Sequence, residues 1–391
     1  MNIALITNSF LPIVGGLEWK VHYLATEYVK RGHDVTVFAS RPGVLLKPVP
    51  ISVVPTYKLV RCSYSFPACG RLGIDGWLFR KAILKRHQKC SFDVLHCHPV
   101  TFPVKYAMAV KKKTGIPIVA TTCGGDVQVV PEMNYGNRLD PRMDRMVRYN
   151  LKNIDVVGSI SSSVRAELES MNPTARIVDI PNGVNWDEFQ IGPSTLLRDR
   201  LRIAQNNLLV LSAGRNHIKK GYELGIRAFA SIAGRFKNAC YAIVGRGTTK
   251  LVPLVEQLGM KNQIRLVEQV PMSEMPYIYH SADIFFNPSL IEGFAQVNAQ
   301  ALACGLPCVI TDAPGNRDAG DYGGALIAKS ADIESMAEKL ALVLEDSDLR
   351  QKLGKEAHAA SKRYSWEKIA QQYLDIFESL VTKRSYHKFG D

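Results

Sequence analysis

Short apolar runs of β character alternate with helical stretches along almost the whole chain, and this alternation leaves few folds open. Runs at residues 3–7, 35–39, 94–98, 118–122, 156–160 and 177–180 are separated by helical patterns such as 17–30 and 138–152. Strands of this kind, spaced by helices, predict a parallel sheet with helices packed on both faces. The pattern then starts again. Residues 208–212, 240–244, 264–267, 284–287 and 308–311 read as strands, with helices at 222–233, 251–258 and 296–304 between them. The halves share an architecture without a sequence repeat, so two doubly wound α/β domains are expected. Their boundaries are placed at 1–189 and 190–365. The stretch 190–206, with Gly192-Pro193-Ser194 and Gln205-Asn206-Asn207, is the linker candidate. Residues 366–391 form a last amphipathic helix, 366–381, and a tail. Ligands in open parallel sheets bind beyond the carboxyl ends of the strands, so a cleft between the two domains is the expected site.

Composition narrows the setting. Of 391 residues, 46% are hydrophobic and 22% charged, the balance of an ordinary globular protein. No apolar stretch approaches the ~18 residues of a membrane span. The first residues carry no basic flank and read as a buried strand rather than a signal peptide, so the expected location is the cytoplasm. Eight cysteines are scattered without disulfide spacing. His96-Cys97-His98, with Cys123 downstream, invites a zinc reading. Strand alternation puts Cys97 on the face opposite the two histidines, and no metal is expected.

The net charge of +13 is uneven: +9 through residue 190 and +4 after it. Such an excess suggests an anionic partner for the first half. No nucleic-acid recognition motif accompanies it, so nucleic acid is not expected. An anionic membrane surface or a phosphorylated lipid is the more economical partner. The stretch 77–87 reads as a basic amphipathic helix suited to lie on one, which would make the protein peripheral on the inner face of the membrane.

Three strand-end loops have diphosphate-binding chemistry. The first runs from Phe10 to Gly15 and Gly16 and opens a helix, whose free N–H groups and positive dipole end suit a phosphate. The second, 213–221, carries Arg215, able to fork two bonds to phosphate oxygens, and Lys220, a point charge. Both are read as exposed. The third, 288–295, places Glu292 at a strand end beside another helix amino terminus. Each loop taken alone is also an ordinary surface turn.

Their order and spacing resemble the family-4 retaining glycosyltransferases of the GT-B fold over nearly the whole chain. The likeness rests on Phe10-Leu11-Pro12 with Gly15-Gly16 and Glu18, Arg31-Gly32-His33-Asp34-Val35, and Ile180-Pro181-Asn182-Gly183-Val184. It continues through Gly214-Arg215 with Lys220-Gly221, Gly245-Arg246-Gly247, Ala282-Asp283, Pro288-Ser289, Glu292-Gly293-Phe294 and Ala303-Cys304-Gly305-Leu306-Pro307. The resemblance implies a hexosyltransferase using a nucleoside-diphosphate sugar as co-substrate, with no metal or other cofactor, and a final helix crossing back to the first domain. It implies a glycan or lipid-linked acceptor, in cell-surface polysaccharide or glycolipid synthesis. Asp346-Ser347-Asp348 is accordingly read as a turn between helices. In this reading Arg215 and Lys220 hold the diphosphate, and Glu292 bonds a sugar hydroxyl and steadies the reacting carbon. Backbone N–H groups of Gly293, Phe294 and Ala295 meet phosphate, Leu266 lines the base pocket, and Gly15 and Gly16 approach the donor. Gln300 stands where the family commonly has a ribose-bonding Glu. Ala295 replaces a glycine, a tightening if positive φ is required there. Cys123 replaces the His of a Thr-x-His-Gly-x-Asp motif. Asp126, Cys123 and His98 are the expected acceptor or sugar contacts. A catalytically inactive relative and a GT-B epimerase or phosphorylase are the alternatives.

Overall fold

The computed structural model describes residues 1–13, 15–41, 55–64 and 74–389. Val14 of the first loop and Cys69 lie outside the described residues. The chain divides into two compact units, Met1–Asn182 with Trp366–Asp391, and Gly183–Ser365.

In the first unit the described strands are β1 (Asn2–Thr7), β2 (Asp34–Arg41), β3 (Lys58–Tyr64), β4 (Val94–His98), β5 (Ile118–Thr121), β6 (Val156–Ser159) and β7 (Arg176–Asp179). They form one parallel sheet in the order β3-β2-β1-β4-β5-β6-β7. The strand order therefore turns around between β1 and β4, where ligands of doubly wound sheets bind. Helices α1 (Gly16–Lys30), α2 (Ile74–Cys90), α3 (Phe102–Thr114), α4 (Pro141–Leu151) and α5 (Ser162–Ser170) connect the strands. β1, β4 and β5 have almost wholly buried side chains, which is why their sequences read as continuous apolar runs.

The terminal helix, Trp366–Phe389, belongs to this unit. Trp366, Ile369, Ala370, Tyr373, Leu374 and Phe377 join the core formed by β1, β2 and α1. Tyr23 of α1 stacks on Trp366, ring centroids 5.8 Å apart. Each such large side chain contributes ~1.5–3 kcal/mol when buried.

In the second unit the strands are β8 (Leu208–Ala213), β9 (Ala239–Val244), β10 (Ile264–Val267), β11 (Ile284–Asn287), β12 (Cys308–Thr311) and β13 (Ala325–Ala328). All are parallel, in the order β10-β9-β8-β11-β12-β13, so this sheet turns around between β8 and β11. Helices α6 (Leu196–Leu201), α7 (Tyr222–Ile232), α8 (Val252–Gln257), α9 (Met275–His280), α10 (Gln296–Ala303), α11 (Ile333–Glu345) and α12 (Ser347–Ser361) complete the unit. The expected linker 190–206 contains α6. Its Arg198 is buried and pairs with Asp283 at 2.6 Å, tying this stretch into the second unit. Asp346 caps α12, accepting from the N–H groups of Asp348 and Leu349 at 2.9 Å, so Asp346-Ser347-Asp348 is a helix start.

Two strands went unread in the sequence, β3 and β13. The final helices follow the second of these, β13. The expected helix 251–258 is a 3₁₀ turn, Thr248–Leu251, followed by α8. The expected helix 138–152 is α4 preceded by a 3₁₀ turn, Asn137–Leu139.

Candidate active site

In the second unit two loops leave neighbouring strands at the turnaround of the sheet: 214–221 after β8 and 288–295 after β11. They touch. The N–H of Leu290 donates to the carbonyl of Lys219 at 2.7 Å. A Cβ on Gly221 would collide with the Pro288 carbonyl, so only glycine permits the approach. The loop after β9 closes on the first from its other side. Gly214 N–H donates to Val244 O and Asn216 N–H to Arg246 O, each at 2.9 Å, and a Cβ on Gly245 would meet the Gly214 carbonyl.

This geometry brings Glu292 to the two lysines. The residue is 5% exposed. Lys220 Nζ lies 2.5 Å from Oε1 and Lys219 Nζ 3.3 Å from Oε2. Ser289 Oγ lies 3.1 Å from Oε1. Burial alone would push the carboxyl pKa up, but the charges and hydrogen bonds of Lys220 and Lys219 outweigh it and hold it below its ordinary value. Glu292 is therefore an anion. Arg215 is exposed, and among the described residues its guanidinium has no ion pair or hydrogen bond. Sequence reasoning named Lys220 and passed over Lys219. Lys220 was expected to be exposed, but its side chain is 12% exposed and turned to Glu292.

A buried amide network braces the turn that carries Glu292. Asn287 Nδ2 donates to the side-chain oxygens of Asn298 and Asn316, both at 2.7 Å. Ser289 Oγ lies 2.6 Å from Asn287 Oδ1, and Asn316 Nδ2 donates to Thr311 Oγ1 at 2.8 Å. The ends of β11 and β12 and the first turn of α10 are thereby held together.

Other expected donor contacts lie differently. Ala295 sits at φ −75°, an ordinary conformation for an L-residue, so the feared strain at this replaced glycine does not arise. Its N–H already donates to Gly315 O at 3.1 Å, so it is not free for phosphate as expected. Gly293 is buried in the turn, and the Phe294 ring is buried near Tyr364, centroids 5.5 Å apart, anchoring the loop. Gln300 Oε1 accepts from the Tyr279 hydroxyl at 3.0 Å, leaving a second lone pair and its NH₂. Leu266 is partly exposed on the edge strand β10, two strands from β8, packed against the unit's core.

In the first unit Gly15 caps α1 at φ −166°, extended backbone that any residue adopts, and Gly16 opens the helix. A Cβ on Gly15 would crowd the carboxylate of Glu18. Asp126 was expected to contact sugar or acceptor. Instead, its carboxylate accepts from the N–H groups of Cys123 at 2.8 Å and Val100 at 3.2 Å. It is 3% exposed, so it braces the ends of β4 and β5. Cys123 is partly exposed, and burial pushes its thiol pKa up to about 12. His98 is fully buried and neutral, its pKa held well down by burial and by the nearby His96 and Lys20. Among the described residues no three His, Cys, Asp or Glu side chains are grouped to hold a metal ion.

Two family models match the chain. Residues 14–188 match the model described as Glycosyltransferase Family 4, and residues 194–360 match Glycosyl transferases group 1. A phosphatidyl-myo-inositol mannosyltransferase of Mycolicibacterium smegmatis is 29% identical, covering 97% of this chain and 94% of the relative. A D-inositol 3-phosphate glycosyltransferase of Corynebacterium jeikeium is 25% identical, with 97% of each chain covered. Among solved structures, sucrose-phosphate synthase from Thermosynechococcus elongatus superposes with a TM-score of 0.81 at 21% identity, covering 98% of this chain and 99% of that one. The Anabaena protein HepE in complex with UDP-glucose gives 0.77 at 19%, covering 97% of this chain and all of that one. With both halves matched and the fold shared, the chain belongs to the family-4 retaining glycosyltransferases, GT-B enzymes that transfer a sugar from a nucleotide sugar.

Proposed function

We propose that this enzyme moves a hexose from a nucleoside-diphosphate sugar to a lipid-linked or glycan acceptor at an anionic membrane surface, without a metal, in glycolipid or cell-surface polysaccharide synthesis. The observation that carries the reading is the meeting of Glu292 with Lys219 and Lys220 where β8 and β11 end, beside Arg215, whose guanidinium pairs with no described residue. A diphosphate placed there meets three cations. Arg215 and Lys220 take its oxygens and stabilise the charge that grows as it leaves, a preorganised electrostatic role. Glu292 bonds a hydroxyl of the sugar and offsets positive charge at the anomeric carbon. The departing phosphate accepts the proton of the attacking hydroxyl, so no second carboxylate is required.

Support for a membrane-bound acceptor comes from α2. Trp77, Lys81, Lys85 and Lys89 follow one another at four-residue steps and are exposed, and Lys81 Nζ lies 4.9 Å from the Trp77 ring centre. An aromatic ring with a basic stripe is the chemistry of an interfacial helix. No described helix is long and apolar enough to cross a membrane. The curated relatives include proteins named for phosphatidyl-myo-inositol and inositol phosphate, which makes these the first acceptors to try.

The test is release of nucleoside diphosphate from UDP-, GDP- and ADP-sugars, with and without phosphatidylinositol vesicles or inositol phosphate. One donor base is expected to turn over, faster with acceptor present. Failure to bind or consume any of them contradicts the reading. Co-sedimentation with anionic but not neutral vesicles, weakening as salt is raised, is expected for the α2 face. Equal binding to both vesicle types contradicts it.

A further inference from the structure

The loop that carries Arg215 is held by the loop after β9, and a carboxylate from the loop after β10 fastens that one in turn. Gly245-Arg246-Gly247 follows β9, and Gly247 sits at φ 78°, a left-handed conformation that favours glycine. The turn leads into the 3₁₀ helix Thr248–Leu251. The N–H groups of Gly247 and Thr249, at its start, find their acceptor on Glu268, the first residue after β10. Glu268 Oε1 and Oε2 accept from the Gly247 N–H at 3.1 and 2.9 Å. Oε1 also accepts from the Thr249 N–H at 3.4 Å and from the Thr249 hydroxyl at 2.8 Å. Between them the fully buried Thr248 donates its hydroxyl to the Val267 carbonyl at 2.7 Å. The bonds from Gly247 and Thr249 hold the Glu268 carboxyl below its ordinary value, so it is an anion.

On its other side the same turn meets Asn216, the neighbour of Arg215. The Asn216 N–H donates to the Arg246 carbonyl at 2.9 Å, and Asn216 Nδ2 donates to the Gly247 carbonyl at 3.0 Å. A Cβ on Gly245 would stand 3.2 Å from the Arg215 backbone nitrogen. Gly247 is thus gripped twice, its N–H by Glu268 and its carbonyl by Asn216. Glu268 itself is exposed, and exposed charges add little to stability. What its converging bonds define is the place of one turn. That place matters to Arg215. Its guanidinium pairs with no described residue, so its position is set by its backbone, and a displacement of ~1 Å in a reacting group can cost on the order of 10² in rate.

We propose that Glu268 is a positioning residue for sugar transfer. By clamping the turn 245–249 it fixes Asn216 and, through it, the backbone from which Arg215 reaches the diphosphate. This rests on the sugar-transfer reading above.

The test is a kinetic cycle on the full chain, using whichever of a UDP-, GDP- or ADP-sugar wild type turns over. It compares wild type, Glu268→Ala, Arg215→Ala and the double variant, with Glu268→Gln and Asn216→Ala as further single variants. Glu268→Ala is expected to lower kcat by roughly 10-fold with donor KM changed by less than about 2-fold, because Arg215 is misplaced and not lost. In the Arg215→Ala background the same substitution is expected to change kcat by less than about 2-fold further. Glu268→Gln keeps an acceptor oxygen for Thr249 and is expected to recover part of the loss; it also keeps the test alive if Glu268→Ala does not fold. Asn216→Ala cuts the second grip and is expected to lower kcat in the same way. Losses that multiply in full in the double variant overturn the proposal. So does a Glu268→Ala enzyme whose melting temperature falls while its kcat stays at the wild-type value, which is the result for a merely structural brace. Wild type that turns over no sugar nucleotide is a different result, which overturns the function proposed above and this proposal with it.

Discussion

At the scale of single residues, the site depends on a charge arrangement that spacing alone only half reveals. Arg215→Ala or Lys220→Ala is expected to lower turnover by roughly 10²–10³, the cost of one preorganised contact, with the fold intact. Steady-state kinetics at saturating donor check this, and unchanged turnover in either variant removes the diphosphate assignment. Lys220 and Glu292 were legible because each stands at a strand end next to glycine. Lys219 was not, because a tandem lysine reads as surface charge. The 3₁₀ turn Ile218–Lys220 sends both side chains to one carboxylate, and no linear pattern encodes that. The asparagine network was equally hidden, its members lying 11 and 29 positions from Asn287. Asp126 was seen, but its bonds to the Cys123 and Val100 N–H groups were not. A conspicuous carboxylate in a loop serves the backbone as readily as a ligand. Two of the departures that favoured an inactive protein lose their force here, since Ala295 is unstrained and Gln300 keeps free hydrogen-bonding capacity.

Among elements, the terminal helix carries the clearest consequence. Phe377 is fully buried against Tyr28 and His96 in the core of the first unit. Phe377→Ala is expected to cost ~3–5 kcal/mol. Tyr373→Phe loses only the bond from Thr121, about 1 kcal/mol. Denaturant unfolding of both variants checks the ranking, and equal costs would contradict it. Central strands were readable because burial on both faces keeps them apolar. β3 and β13 sit at sheet edges and pair on one side only. β3 mixes charged and apolar residues, and β13 is a short Ala-Leu-Ile-Ala run behind Gly323-Gly324. Neither leaves the signature that a buried strand does.

For the whole molecule, buried histidines set a direction for acid stability. Burial lowers the pKa of His22 from its ordinary 6.5 to about 4, and burial holds His96 and His98 down as well. These rings stay neutral in the fold, while the unfolded chain takes up protons as pH falls below about 6.5. The stability they confer is thus complete above that value and is lost between about 6.5 and 4. A melting temperature that drops from pH 7 to pH 5, with a shallower drop in His22→Gln, is the expected result; a flat profile contradicts it. At the site itself two roles for Glu292 compete: the proposed anion beside the reacting carbon, and a structural counter-ion for Lys219 and Lys220. The direct measurement is turnover of Glu292→Gln at saturating sugar nucleotide, alongside its affinity for the donor. If the carboxylate is catalytic, turnover falls by roughly 10²–10³ with donor affinity little changed. Turnover equal to wild type would contradict it.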